Sequence, residues 1–217
     1  MEFVLFQIVI LIFSVVLHEV SHGAVAYSLG DTTAKNSGRL TLNPIPHIDL
    51  FGSILLPGFL LFASYLSGGG GIILGWAKPV PINPFNFRDQ KYGSAKVSLA
   101  GPASNLIIAL VFGLALRFLF TLNRAEGLVA FLGPGFVLAL TYIVQINIVL
   151  AVFNLLPIPP LDGSHLLFSL LPKSMEYIKI FLSRYGYFIL LFLIFFSFGF
   201  ISSIVNAIFR LIVGAAI

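Results

Sequence analysis

Residues Phe3 to Leu29 read FVLFQIVILIFSVVLHEVSHGAVAYSL, an apolar run whose ionisable interruptions are His18, Glu19 and His22. At ~1.5 Å per residue an α-helix of this length crosses a hydrocarbon core of ~30 Å. A charged side chain at that depth costs roughly 2–3 kcal/mol unless it finds a partner. The chain has only four His and eight acidic residues, yet three of these fall within five positions of one span. Ala24-Val25-Ala26 imitates a signal-peptide cleavage site, but the residues ahead of the run hold Glu2 and no Lys or Arg, so the segment is expected to stay as a membrane helix.

The interruption itself is His18-Glu19-Val20-Ser21-His22, an H-E-x-x-H. Residues four apart lie about 40° apart around a helix, so both imidazoles face one point, as two ligands of one metal must. Glu19, beside the first of them, can reach a water at that metal and act as general base. The same pattern also occurs by chance on surface helices of soluble chains. In an apolar span the desolvation cost argues for a site. A catalytic zinc takes three protein ligands and keeps one position open. The chain has no Cys, so the third ligand must be a carboxylate or a His. Glu2, Asp31, Asp49, Asp89, Glu126 and Glu176 sit in loops or at ends, whereas Asp162 follows Pro157-Ile158-Pro159-Pro160-Leu161 and precedes Gly163, between two apolar stretches. Asp162 also reads as an ordinary helix N-cap, and His165 is a competing ligand or supporting donor.

Composition fixes the solvent. Of 217 residues, 59% are hydrophobic and 9% charged, against about 45–50% and 25% in soluble domains. That excludes a soluble globular enzyme and intrinsic disorder. The net charge of +4 is spread between apolar runs, which excludes a nucleic-acid-binding stripe. Further apolar runs cover Leu50 to Leu66, broken by Pro57, then Ile72 to Trp76, Val97 to Leu122, Phe131 to Leu156 and Tyr185 to Ala216. Ser37 to Asn43 alternates like a short strand ahead of Pro44 and Pro46. The reading is an all-α polytopic membrane protein: a helical bundle with a short strand or hairpin element and a possible re-entrant segment near the active site.

His18-Glu19-Val20-Ser21-His22 and Asn154-Leu155-Leu156-Pro157-Ile158-Pro159-Pro160-Leu161-Asp162-Gly163 together resemble the motifs of the site-2 protease family of intramembrane zinc metalloproteases. Gly101-Pro102-Ala103-Ser104-Asn105, between them, is similar to that family's third motif. The resemblance implies His18, His22 and Asp162 as Zn2+ ligands, Glu19 as catalytic base and Asn105 as a contact for the substrate carbonyl or oxyanion. It implies a minimal member, residues 1–217 forming one membrane-embedded protease domain without a PDZ or CBS module. By itself Asn105 also reads as a structural amide tying helices together, and Asn154 could serve either purpose.

For His18, His22, Asn105 and Asp162 to meet, the helices must alternate in direction, and residues 50–76 must make no net crossing. The loops on that side hold Lys35, Arg39, Lys78, Arg88, Lys91, Lys96, Lys173, Lys179 and Arg184, which predicts that the active-site side faces the cytoplasm from the cell membrane. The expected reaction is zinc-dependent hydrolysis of a peptide bond in or near a transmembrane segment of a membrane-protein substrate. An unwound substrate can pair with a strand edge, for which Ser37 to Asn43 is the candidate and Gly75 to Asn83 the alternative. The rival class is a metal-ion or proton transporter using the same His/Asp site.

Overall fold

The computed structural model describes residues 2–55, 59, 77–122, 133–196 and 198–214, and the helices among them are long and apolar. Helix α1 (Glu2–Ser28) is followed by a single turn of helix, α2 (Thr33–Asn36). Then come α3 (Gly93–Leu122), α4 (Pro134–Asn154), the short α5 (Asp162–Leu170), α6 (Glu176–Phe196) and α7 (Phe198–Val213). Segments of α1, α3, α4 and α6 are long and apolar enough to cross a membrane: Phe6–Ser28, Gly93–Thr121, Gly135–Asn154 and Glu176–Phe196. The all-α polytopic membrane reading holds.

Each helix begins and stops for a local reason. Gly30, at φ +107°, closes α1, and the N–H of Asp31 reaches back to Ala26 O; a side chain would strain that left-handed turn. Asp89 starts α3 by accepting from the N–H groups of Lys91 and Tyr92, which satisfies donors a helix start otherwise leaves bare. Pro134 opens α4 at a position where a missing N–H costs nothing, and Pro157 stands just beyond its end. Helix α3 is the centre of the bundle, packed by α1, α4, α5 and α7. Ala109 and Leu116 of α3, Leu140, Val144 and Ile148 of α4, and Val205, Phe209 and Val213 of α7 make its largest buried cluster. Outward faces are equally apolar, with Phe118, Phe188, Phe195 and Leu211 more than half exposed. Such surface is stable against lipid and not against water.

One element departs from expectation. Ser37 to Asn43 is not a strand, and no strand occurs among the described residues. Helix α2 takes up the approach, and Gly38 (φ +65°) reverses the chain, with the Arg39 N–H bonded to Ala34 O. The Thr41 hydroxyl then accepts from the Asn43 N–H, and the Asn43 carboxamide from the Ile45 N–H. These local bonds satisfy the backbone without a partner strand. The alternation of Leu40 and Leu42 does not define a face either, since Leu42 is exposed while Leu40 packs toward Gly23. Within the possible re-entrant segment, Leu50–Leu55 form a π-helical turn; apart from residue 59, the remainder of 50–76 lies outside the described residues.

Candidate metal centre

Three helices bring the polar residues of the sequence motifs to one buried point. His18 and His22, on successive turns of α1, are both 6% exposed. Asp162 is the first residue of α5, one position past the N-cap Leu161. Gly163 permits its placement, since a side chain there would fall 2.2 Å from Leu155 O. The Nε2 atoms of His18 and His22 stand 3.0 Å apart. The Oδ2 atom of Asp162 is 3.1 Å from the first and 3.2 Å from the second. The result is a nearly equilateral triangle of ligand atoms.

The protonation pattern decides what this triangle can hold. His22 Nδ1 lies 2.6 Å from Val97 O, and a carbonyl only accepts, so the proton sits on Nδ1. His18 Nδ1 lies 2.6 Å from Asn105 Oδ1. The orientation of that carboxamide follows from a chain anchored at a backbone carbonyl. Asn147 Nδ2 donates to Ile143 O at 2.8 Å and to Ser14 Oγ at 3.0 Å, which leaves Asn147 Oδ1 to accept from Asn105 Nδ2 at 2.8 Å. Asn105 Oδ1 therefore accepts, and His18 also carries its proton on Nδ1. As neutral imidazoles the two rings therefore aim their Nε2 lone pairs at one another and at Asp162 Oδ2, which has no hydrogen-bond partner. Such an arrangement repels itself unless a cation occupies the middle. Ligand atoms ~2.0–2.1 Å from a tetrahedral zinc stand about 3.3–3.4 Å apart, close to what is found here. Space for an ion is kept by Gly101 of α3: a Cβ there would come within 2.4 Å of His22 Nε2 and 2.6 Å of His18 Nε2. The residues present fit a metal ion.

Glu19 is half-buried next to His18, and its Oε2 accepts the backbone N–H of Val80 at 2.8 Å. Asn105 has no exposed surface; one side of its carboxamide holds His18 and the other donates to Asn147 and, at 3.4 Å, to Ser14 O. In this arrangement it orients His18. His165 is exposed and lies outside the cluster of His18, His22 and Asp162. Asn154 donates to Leu150 O one turn back in its own helix. Sequence reasoning missed Ser14 and Asn147. The signal was present: Ser14 stands four residues before His18, on the same face, and Asn147 is an amide inside a mostly apolar run.

Comparison with known proteins places these residues in context. The profile of peptidase family M50 matches residues 6–195. The chain is 40% identical over 186 residues to YwhC, a candidate zinc metalloprotease of Bacillus subtilis, covering 86% of this chain and 78% of that one. It is 31% identical over 153 residues to Rip2 of Mycolicibacterium smegmatis and 33% identical over 150 residues to Rip2 of Mycobacterium tuberculosis, both also candidate zinc metalloproteases. Those matches cover 69% of this chain and 51% of each Rip2, so the chain spans about half their length. No solved structure matches it significantly.

Proposed function

Because this chain belongs to peptidase family M50, the site-2 protease family, we propose that its metalloprotease activity is directed at a peptide bond in or near a transmembrane segment, with His18, His22 and Asp162 holding one zinc ion and Glu19 as general base. The observation that carries this reading is the triangle of Nε2, Nε2 and Oδ2 at 3.0–3.2 Å, with the far nitrogen of each imidazole facing an acceptor oxygen. When bound, zinc supplies a Lewis acid that polarises the scissile carbonyl and makes water acidic enough to attack near neutral pH. Glu19 takes the proton released in that attack and returns it to the leaving amine. Val97 O and Asn105 hold the imidazole rings so that both Nε2 lone pairs stay aimed at the centre. An oxyanion contact from Asn105 would require its carboxamide to leave Asn147 and His18, so its proposed role is to orient His18.

A helical substrate hides its carbonyls in its own hydrogen bonds and must unwind before attack. The stretch 77–83, adjoining Glu19, takes over from Ser37 to Asn43 as the candidate for main-chain contacts with the unwound segment. These are offered through its carbonyls, because the N–H groups of Lys78, Val80 and Asn83 are already bonded and Pro79 and Pro81 have none. The proposed setting is the cell membrane, with the zinc side facing the cytoplasm on the distribution of Lys and Arg.

The test uses the full chain, purified with its metal and reconstituted in liposomes. The probe is a fluorophore–quencher peptide with a single alanine–leucine span and a central Gly-Gly pair, where each Gly weakens the helix by about 1 kcal/mol. Wild type should cleave it. Glu19→Gln should keep its zinc and lose about 10²–10⁴-fold in rate. Uptake of labelled zinc into the vesicles, with no cleavage and no effect of Glu19→Gln, would replace the protease reading with the transporter.

A further inference from the structure

Asp31 is an acid that the zinc site does not use, and its burial needs a reason. It has no exposed surface, and four donors converge on it. Its Oδ1 accepts from the Thr33 N–H at 3.1 Å, the Thr33 hydroxyl at 2.5 Å and Asn86 Nδ2 at 2.8 Å. Its Oδ2 accepts the backbone N–H of Asn83 at 2.7 Å. The Arg88 N–H bonded to Leu29 O at 2.8 Å ties the same loop to the end of α1. Three residues before Asn83 stands Val80, whose N–H is held by Glu19 Oε2 at 2.8 Å. Two carboxylates, one on α1 and one just past its end, therefore grip one four-residue stretch.

The stretch is built to offer few donors. Pro79 and Pro81 have no N–H and fixed φ, so Val80 supplies the one donor between them. Its side chain is 5% exposed and seats against Gly23, one helical turn beyond Glu19, where a Cβ would lie 3.0 Å from Val80 Cγ1. The N–H is thereby presented to Glu19 from a fixed position. With Oε2 so held, Oε1 is the oxygen left to handle the proton, and the carboxylate cannot swing.

We infer that Asp31 is a positioning residue for Glu19: by anchoring Asn83 it holds the 80–83 stretch so that the Val80 N–H fixes the Glu19 carboxylate. The inference rests on Glu19 being the general base. A purely structural Asp31 would staple two loops together with no link to catalysis, and the two roles separate by measurement.

Asp31→Asn is nearly isosteric. It retains an acceptor for Thr33 and Asn86 and sets an NH2 group against the Asn83 N–H, so the bond to the stretch is the one lost. Val80→Pro removes the N–H on Glu19, and Val80→Ala retains it. With the peptide probe and liposomes described above, Asp31→Asn and Val80→Pro should each lower kcat by about 10–100-fold, the scale of a small misplacement of a catalytic group. KM and zinc content should stay at wild-type values, and Val80→Ala should lose less than Val80→Pro. The double variant Asp31→Asn/Val80→Pro should be no slower than the slower single, because both act through one contact. Should Asp31→Asn fail to fold, Asn86→Ala leaves Asp31 charged, strips one bond from it and should lower kcat at unchanged KM. Wild-type kcat in Asp31→Asn or in a folded Asn86→Ala would overturn the inference, as would multiplying losses in the double variant or a loss that follows zinc content. Inactive zinc-loaded wild type, or Glu19→Gln as fast as wild type, would overturn the protease reading instead.

Discussion

Asn105 and Asn147 fix each other's orientation: Asn105 Nδ2 donates to Asn147 Oδ1 at 2.8 Å, while Asn147 is pinned to Ile143 O in its own helix. The consequence reaches the metal centre, since the only orientation left to Asn105 presents Oδ1 to His18. Replacing Asn147 by Leu frees the Asn105 carboxamide to rotate and removes a buried acceptor. Zinc affinity, measured by competition with a chelator, should fall by about 10–100-fold, the usual cost of losing a group that orients a metal ligand. Asn147→Asp keeps the acceptor for Asn105 and should bind zinc more tightly than Asn147→Leu. Equal affinities in the wild type and Asn147→Leu would show that His18 is oriented without this chain.

Gly101→Ala tests the room at the centre. A methyl group there would stand 2.4 Å from His22 Nε2, well inside van der Waals contact and on the side where the two imidazoles converge. The nearest atoms all belong to the His18 and His22 rings, which the Asn105 carboxamide and Val97 O hold in place, so they cannot retreat cheaply. Purified Gly101→Ala should carry far less zinc than wild type while keeping its helical circular dichroism. Full occupancy would place the ion on the other side of the His18–His22–Asp162 plane from α3.

The helices and the common direction of His18 and His22 were legible because both rest on short-range rules. Hydropathy marks spans, and the spacing of His18 and His22 in one helix fixes their common direction whatever the fold. The Pro-rich run before Asp162 likewise announces an inward turn. Ser37 to Asn43 misled because alternation in so short a stretch competes with Ser, Thr and Asn side chains that bond their own backbone, and a strand needs a partner that no local pattern guarantees. Asp31 read as an ordinary loop acid because its four donors come from Thr33, Asn83 and Asn86. Two of those residues lie more than fifty positions away, and no sequence window joins them. Asn147 stood in view as an amide in an apolar run, but its partners on α1 and α3 did not.

Asp162 and His165 were left as rivals by the sequence, and zinc analysis separates them. Asp162→Ala deletes one corner of the triangle and should lose most of its zinc at limiting metal concentration. His165→Ala, at an exposed position, should retain it. Phenanthroline should abolish cleavage by wild type, and added zinc should restore it. The reverse pattern of metal loss would promote His165 to the ligand set.

Orientation can be read directly because the chain has no Cys. Single-cysteine variants therefore report without background. Lys91→Cys stands in the exposed loop ahead of α3, and Glu126→Cys falls in sequence between the end of α3 and the start of α4. In intact cells a membrane-impermeant maleimide should label Glu126→Cys and leave Lys91→Cys unlabelled until the membrane is opened. The opposite order would turn the zinc side outward against the charge bias.

The acid limb of stability should carry the signature of Asp31. Burial alone would push its carboxyl up, but the Thr33 hydroxyl, the Asn83 N–H, the Asn86 carboxamide and the Thr33 N–H all favour the ionised form and hold it below its ordinary value. A carboxyl depressed in the folded state stabilises fully above its unfolded pKa, ~3.9, and that stabilisation disappears as pH falls through the lower folded value. Thermal midpoints in detergent should therefore show Asp31→Asn below wild type by a constant margin from pH 7 to about 5, where Asp31 is ionised in both states. Below about pH 4 the wild-type curve should fall more steeply and the gap should narrow. Asn86→Ala removes one of the groups that depress the value, so its fall should begin at the same pH, set by the unfolded carboxyl, but be smaller and finish at a higher pH than in wild type. A gap that stays constant to pH 3 would mean that the Asp31 hydrogen bonds do not distinguish its two protonation states.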